Sequence, residues 1–232
     1  MAVGRDVQAL LWDRPAGRRG PKPSLTHERI AAAGVALADA EGLGAATMQR
    51  LAEALDVTKM ALYRYVPGKA ELLALMTEAA LGDPPVPAGR SWRAALREWT
   101  RELLDRFCRH PWTLTTTVGA RPIGPNEVAW LEVVCARLAG CGLTGAEVLD
   151  VAVTLVGHAR SLAQQAAAVR TDSVENTVHR GMAAVLRGRE DRYPALAAAL
   201  ASAAESGGDR GFDFGLDRIL DGVEQLIRER AQ

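Results

Sequence analysis

Apolar residues recur at intervals of three and four along nearly the whole chain, and no stretch keeps the strict alternation of a half-buried strand. That regularity predicts an all-α fold. Thr26 caps a first helix whose face is Ile30, Ala33, Gly34 and Leu37, and Gly42 ends it. A short helix follows from the cap Thr47, with Met48, Leu51, Ala52 and Leu55 on one side, and Asp56 and Val57 then turn the chain. Thr58 opens a third helix that runs to about Tyr65, where Pro67 and Gly68 stop it. A fourth, from Lys69 to Leu81, offers Leu72, Leu73, Met76 and Ala80 to a core.

The stretch GDPPVPAG, dense in Pro and Gly, reads as a stiff linker. The expected organisation is a basic flexible arm over 1–23, a compact helical domain over 24–81, a linker over 82–90 and a larger helical domain over 91–232. In the larger part, Ser91 caps a long helix with Trp92, Leu96, Trp99, Leu103 and Phe107 on one stripe, closed by His110 and Pro111. A short Thr-rich helix, one from about Pro125 to Cys141 and one from Thr144 follow, the last apolar almost all round between Val148 and Val156. Residues 171–192 are polar, with a loop and a short helix in VENTVHRGMAAVL. A brief helix in YPALAAALAS precedes a final one over 212–230.

The 232 residues, 48% apolar and 24% charged, suffice for a sizeable core. No signal-peptide core or membrane-spanning run is legible, so a cytoplasmic protein is expected. Cys108, Cys135 and Cys141 lack a second Cys or His at metal-ligand spacing and read as reduced, buried thiols. The net charge is zero, but residues 1–70 carry ten Lys and Arg against seven Asp and Glu, and all three lysines lie there.

The segment LAEALDVTKMALYRYV has the proportions of a helix-turn-helix, whose second helix enters the major groove of DNA. Leu62 and Val66 are expected to hold that helix against Leu51, Ala52 and Leu55. Lys59, Met60, Ala61, Tyr63, Arg64 and Tyr65 would then face outward. Tyr, Lys and Arg can bond phosphates, while Gln49, Lys59, Met60 and Ala61 are slim enough to approach base edges.

The span Thr26–Leu81, with EGLGAATMQRLAEALDVTKMALYRYVPGKAELL inside it, resembles the DNA-binding domain of the tetracycline-repressor (TetR) family. HPW, GARPIGPN, the VGH at 156–158 and FDFGLDRILDGVEQLI resemble that family's ligand-binding domain. The resemblance implies a homodimeric repressor on a palindromic DNA operator, released when a small-molecule effector binds the C-terminal domain; an effector held between the fifth, seventh and eighth helices would displace the helix Lys69–Leu81. It further implies base contacts from Gln49, Lys59, Met60 and Ala61. Phosphate contacts would come from Thr47, Tyr63, Tyr65 and Lys69, with Thr58 capping the recognition helix. Arg14, Arg18, Arg19 and Lys22 of the arm are either further phosphate contacts or a solvated tail.

For the effector, Trp99, Phe107, Trp112, Trp130, Val134, Val153 and Ser161 supply large apolar walls and a few polar points, although such stripes also build plain cores. Thr116 and His158 are further candidate contacts, His158 alternatively a satisfied core histidine. The family prototype holds a magnesium-drug chelate; here Thr117 and Ala166 stand at the ligating places, and neither suits magnesium, so no metal or cofactor is expected. The apolar excess of the helix from Thr144 and of the last helix suggests a four-helix dimer interface using Leu155, Leu162, Leu216, Ile219, Leu220, Val223 and Ile227. Two rivals are an effector-free DNA-binding regulator and a helical enzyme using His158 or His110. No Ser/His/Asp grouping, metal cluster or phosphate-cradling glycine loop supports the enzyme.

Overall fold

The computed structural model describes residues 3–12, 25–86, 91–168, 174–206 and 211–231. Among these residues there are twelve α-helices and no strand. They are α1 (Val3–Trp12), α2 (His27–Glu41), α3 (Met48–Ala54), α4 (Lys59–Tyr63), α5 (Lys69–Leu81), α6 (Trp92–Arg109), α7 (Thr113–Thr116), α8 (Pro125–Leu138), α9 (Gly145–Ala168), α10 (Val174–Leu186), α11 (Pro194–Ser206) and α12 (Gly211–Arg230). The helix starts fall where the caps predict: Thr26, Thr47, Thr58 and Ser91 each accept a bond from the backbone N–H three residues on.

Two apolar clusters organise these helices. One gathers Ile30, Leu51, Ala52, Leu62, Val66, Leu72, Leu75 and Met76 from α2 to α5. The other gathers Leu96, Trp99, Phe107, Trp130, Val134, Leu155, Leu216 and Leu220 from α6, α8, α9 and α12. Helix α5 serves both: Leu72, Leu75, Met76 and Ala80 enter the first cluster and Leu81 the second. On its far side the α2 backbone approaches so closely that a Cβ on Gly34 would lie 2.7 Å from the Met76 sulfur. Helices α10 and α11 pack chiefly on one another.

The α3 to α4 turn is a Schellman closure. Val57 N–H donates to Ala52 O at 3.0 Å and Asp56 N–H to Glu53 O at 3.2 Å, with Asp56 at φ 53°. Asp rather than Gly occupies the left-handed position, which an L side chain reaches at some cost.

The start of α9 is tied to the end of α12. Thr144 and Glu147 form a reciprocal capping box, Glu147 Oε2 accepting from Thr144 N at 2.8 Å and Thr144 Oγ1 from Glu147 N at 3.3 Å. Glu147 Oε1 also accepts from Arg230 Nη2 at 2.5 Å, and this arginine, then the Thr144 N–H, holds the Glu147 carboxyl down at about 2. Farther along, Arg93 and Arg101 on α6 pair with Asp221 and Asp213 on α12 at 2.5 and 2.7 Å, and Arg97 pairs with Asp217. Each pair is partly exposed and contributes about 0 to 1 kcal/mol, so the ladder sets register more than stability.

Three expectations change. Residues 3–12 of the supposed flexible arm form α1, because Val7 and Leu11 bury themselves (1% and 6% exposed) and Trp12 Nε1 donates to Ile123 O at 2.9 Å. The rest of the arm, with Arg14, Arg18, Arg19 and Lys22, lies outside the described residues. The helix expected to reach Cys141 ends at Leu138, since Gly140 and Gly142 take positive φ. Cys108 is exposed rather than buried, one residue off the stripe that buries Phe107; Cys135 and Cys141 are half-buried.

Replacing Asp56 by Gly removes the left-handed strain and raises unfolding free energy by about 1 kcal/mol in urea denaturation. A Glu147→Gln variant tests the capping box by pH. Because the folded pKa is depressed, the carboxylate's stabilisation is present above the ordinary carboxylate range and fades as pH falls toward about 2. The stability gap between wild type and variant in a urea series should therefore close over that acid window.

Candidate nucleic-acid interface and cavity

Leu62 and Val66 are fully buried against Leu51 and Ala52, and this anchors α4 with its other side free. Thr58 caps it, accepting from Ala61 N at 3.1 Å. Lys59, Tyr63 and Arg64 are exposed, Met60 is 75% exposed at the tip, and Ala61 is half-buried between them. Thr47 and Gln49 are exposed at the start of α3, Gln49 donating to Glu53, and Lys69 is exposed at the start of α5. Of the predicted base-facing and phosphate-facing residues, all but Ala61 and Tyr65 are exposed, spread over the starts of α3 and α5 and along α4. Tyr65 is only half-exposed: its ring meets His27 edge-on at 5.9 Å, and His27 Nε2 donates to Tyr65 O at 3.1 Å. Arg50, which sequence reading did not single out, forks onto Glu41 at 2.5 and 2.7 Å and locks α3 to α2.

Among the described residues, most of the predicted effector residues are packed or paired within the chain. Trp99, Phe107, Trp130 and Val134 fill the second cluster, Trp99 Nε1 donating to Trp130 O at 2.8 Å and Trp130 Nε1 to Gly82 O at 3.0 Å. Both indoles are satisfied internally, so these residues act as core. Trp112 joins the first cluster instead and donates to Asp39 at 2.7 Å, beside His110, whose Nδ1 lies 2.9 Å from the same carboxylate. Val153 and Ser161 lie on the exposed side of α9. His158 donates through Nε2 to Phe212 O at 3.0 Å and stacks on the Phe212 ring, where only Gly215 leaves room, so it joins α9 to α12. Thr117 accepts from Arg160 at 2.5 Å.

Thr116 borders a cavity of about 360 Å³ between α5, α7 and the 118–124 loop, lined also by Leu11 of α1. The expected dimer residues also move. Leu155, Leu216, Leu220 and Val223 are buried within the chain, and Ile219, Ile227 and Leu162 are half-buried, because α9 packs on α6 and α12 packs on α9. Leu149, Val153 and Phe214 remain exposed on those two helices.

Against this geometry the comparisons fall into place. Residues 30–76 match the tetR family of bacterial regulatory proteins, and residues 84–227 the tetracyclin repressor-like C-terminal domain. The chain belongs to the TetR family. This TetR-family helix-turn-helix regulator is 40% identical to the HTH-type transcriptional repressor DrrR1 of Streptomyces coeruleorubidus, over 95% of this chain and 86% of that one. Its fold is similar to that of apo ActR from Streptomyces coelicolor, with a TM-score of 0.74 and 26% identity over 90% of this chain and 99% of ActR. ActR in complex with actinorhodin gives 0.73 and 25% identity over the same shares.

Charge reversal of Lys59 or Lys69 should weaken binding to any duplex and lower the slope of log affinity against log salt by about one each, read by fluorescence anisotropy across a salt series. Leu62→Ala should cost about 2 to 5 kcal/mol of stability in urea denaturation, because it empties the anchor under α4.

Proposed function

We propose that this chain is a repressor that binds a palindromic operator as a homodimer in the cytoplasm and is released by a small-molecule effector. The carrying observation is the surface of α4, where Lys59, Met60, Tyr63 and Arg64 project from a helix pinned by fully buried Leu62 and Val66. A two-fold dimer repeats that surface, and two copies about one DNA turn apart, roughly 34 Å, read an inverted repeat. The exposed Leu149, Val153 and Phe214 on α9 and α12 support dimerisation through the outer faces of those helices rather than through the stripes buried inside. Release is supported by the kinship with DrrR1, named a repressor, and with ActR, solved with actinorhodin. In this reading effector binding shifts α5, which follows the recognition helix after the short turn 64–68, and coupling of only about 1 to 3 kcal/mol suffices.

Selection of bound duplexes from a random pool should enrich an inverted repeat; enrichment of a single half-site or of nothing would overturn the dimeric reading. Val153→Arg should shift the protein toward monomer in size-exclusion chromatography with light scattering and weaken binding to the selected duplex.

A further inference from the structure

The cavity bordered by Leu11, Leu73, Ala74, Thr77, Thr116 and Glu78 takes its apolar side from the first cluster and its opposite wall from α7 and the 118–124 loop, with α5 as its floor. Its volume of about 360 Å³ falls in the range of small-molecule sites. Most of the lining is aliphatic, with Glu78 its one carboxylate and Arg121 its one cation among the described residues.

The Thr77 hydroxyl has Leu73 O at 2.7 Å and the accepting Thr116 hydroxyl oxygen at 2.8 Å, so Thr116 keeps a lone pair and its own proton to offer. Glu78, only 9% exposed, accepts from Asn126 N at 2.8 Å and Glu127 N at 3.4 Å and has no Lys or Arg ion pair among the described residues. Arg121, the cation on the wall, is spent on Glu127 through a fork at 2.5 and 2.7 Å. Burial pushes the Glu78 carboxyl above its ordinary range; the Asn126 and Glu127 amides and, more weakly, Arg121 offset this only in part, while the Glu127 carboxylate adds to it, so a positive partner here meets an acceptor that no direct ion pair compensates. The loop wall is fitted to that carboxylate: a Cβ on Gly124 would stand 2.2 Å from the Glu78 carboxyl carbon.

We propose that this cavity beneath α1 binds a compact, largely apolar molecule carrying an amine, its aliphatic or aromatic body on Leu11, Leu73 and Ala74 and its ammonium group toward Glu78 and Thr116. The inference deepens the proposed function by giving the effector a place and a chemical class, and it rests on that reading only for the consequence of binding. Occupation touches α5 directly and loads the Glu78 contact with the start of α8, so the site lies on the connection from the larger domain to α4.

The test is isothermal titration calorimetry of the full chain with 2-phenylethylamine, 2-phenylethanol and phenylacetate as probes. The amine should bind most tightly and phenylacetate least. Glu78→Gln should weaken the amine by about tenfold or more while leaving the alcohol within about twofold. Because Glu78 also caps α8, Ala74→Phe provides the second variant: it fills the cavity and should abolish amine and alcohol binding alike, with helicity checked by circular dichroism. Failure of wild type to bind the amine, or binding indifferent to both variants, would overturn the site. Duplex binding by the same preparations separates the two proposals: intact duplex binding with no amine binding removes this site alone. Loss of all duplex binding with the amine site intact removes the repressor reading alone.

Discussion

Helix α5 cannot be packed from one side only. Glu71, Leu72, Leu75, Met76, Thr77, Glu78, Ala80 and Leu81 are all buried, which leaves little of its surface for solvent. A helix buried nearly all round must have neighbours nearly all round. They are α1, α2, α6, α7 and α8, spanning both halves of the chain. The consequence reaches the exposed surface of α4, because the head of α5 at Gly68 and Lys69 is separated only by Pro67 from Val66, one of the two residues that anchor α4. In the proposed reading, a displacement of α5 carries that surface with it.

Two polar clamps reinforce the same junction. Glu78 on α5 caps α8 through Asn126 and Glu127, and Asp39 on α2 gathers His110 and Trp112 from the end of α6. Buried polar groups of this kind cost several kcal/mol when unpaired and little when satisfied, so each clamp resists separation of its partners. A regulator built this way moves its two halves together or breaks identifiable bonds. The cavity lies beside the Glu78 clamp, on the side where a bound molecule can act on it.

Local signals in the sequence carried the architecture well. Caps at Thr26, Thr47, Thr58 and Ser91, the stops at Gly42 and Pro67, and the anchoring pair Leu62 and Val66 depend on chemistry within a few residues, and the structure has them where the spacing puts them. The face of α4 was legible for the same reason. What was not legible depended on long-range placement. Trp99, Phe107 and Trp130 have the same periodicity whether they line a cavity or fill a core, and only the bonds from their indoles to Trp130 O and Gly82 O distinguish the two. Leu216 and Leu220 likewise mark a buried stripe without saying whether α9 or a second copy covers it. Helix α1 carried a detectable signal in Val7 and Leu11, four apart, but its docking depends on Ile123, more than a hundred residues away.

The central claim is that α5 belongs to both cores and joins them into one cooperative unit, and native-state amide hydrogen exchange tests it most directly. The account predicts that the α5 amides from Leu72 to Ala80 exchange with the same high opening free energy and denaturant dependence as those of Leu96 to Leu103 in α6. Exchange of α5 through a cheaper opening shared with α2, α3 and α4, while α6, α9 and α12 stay protected, would contradict it.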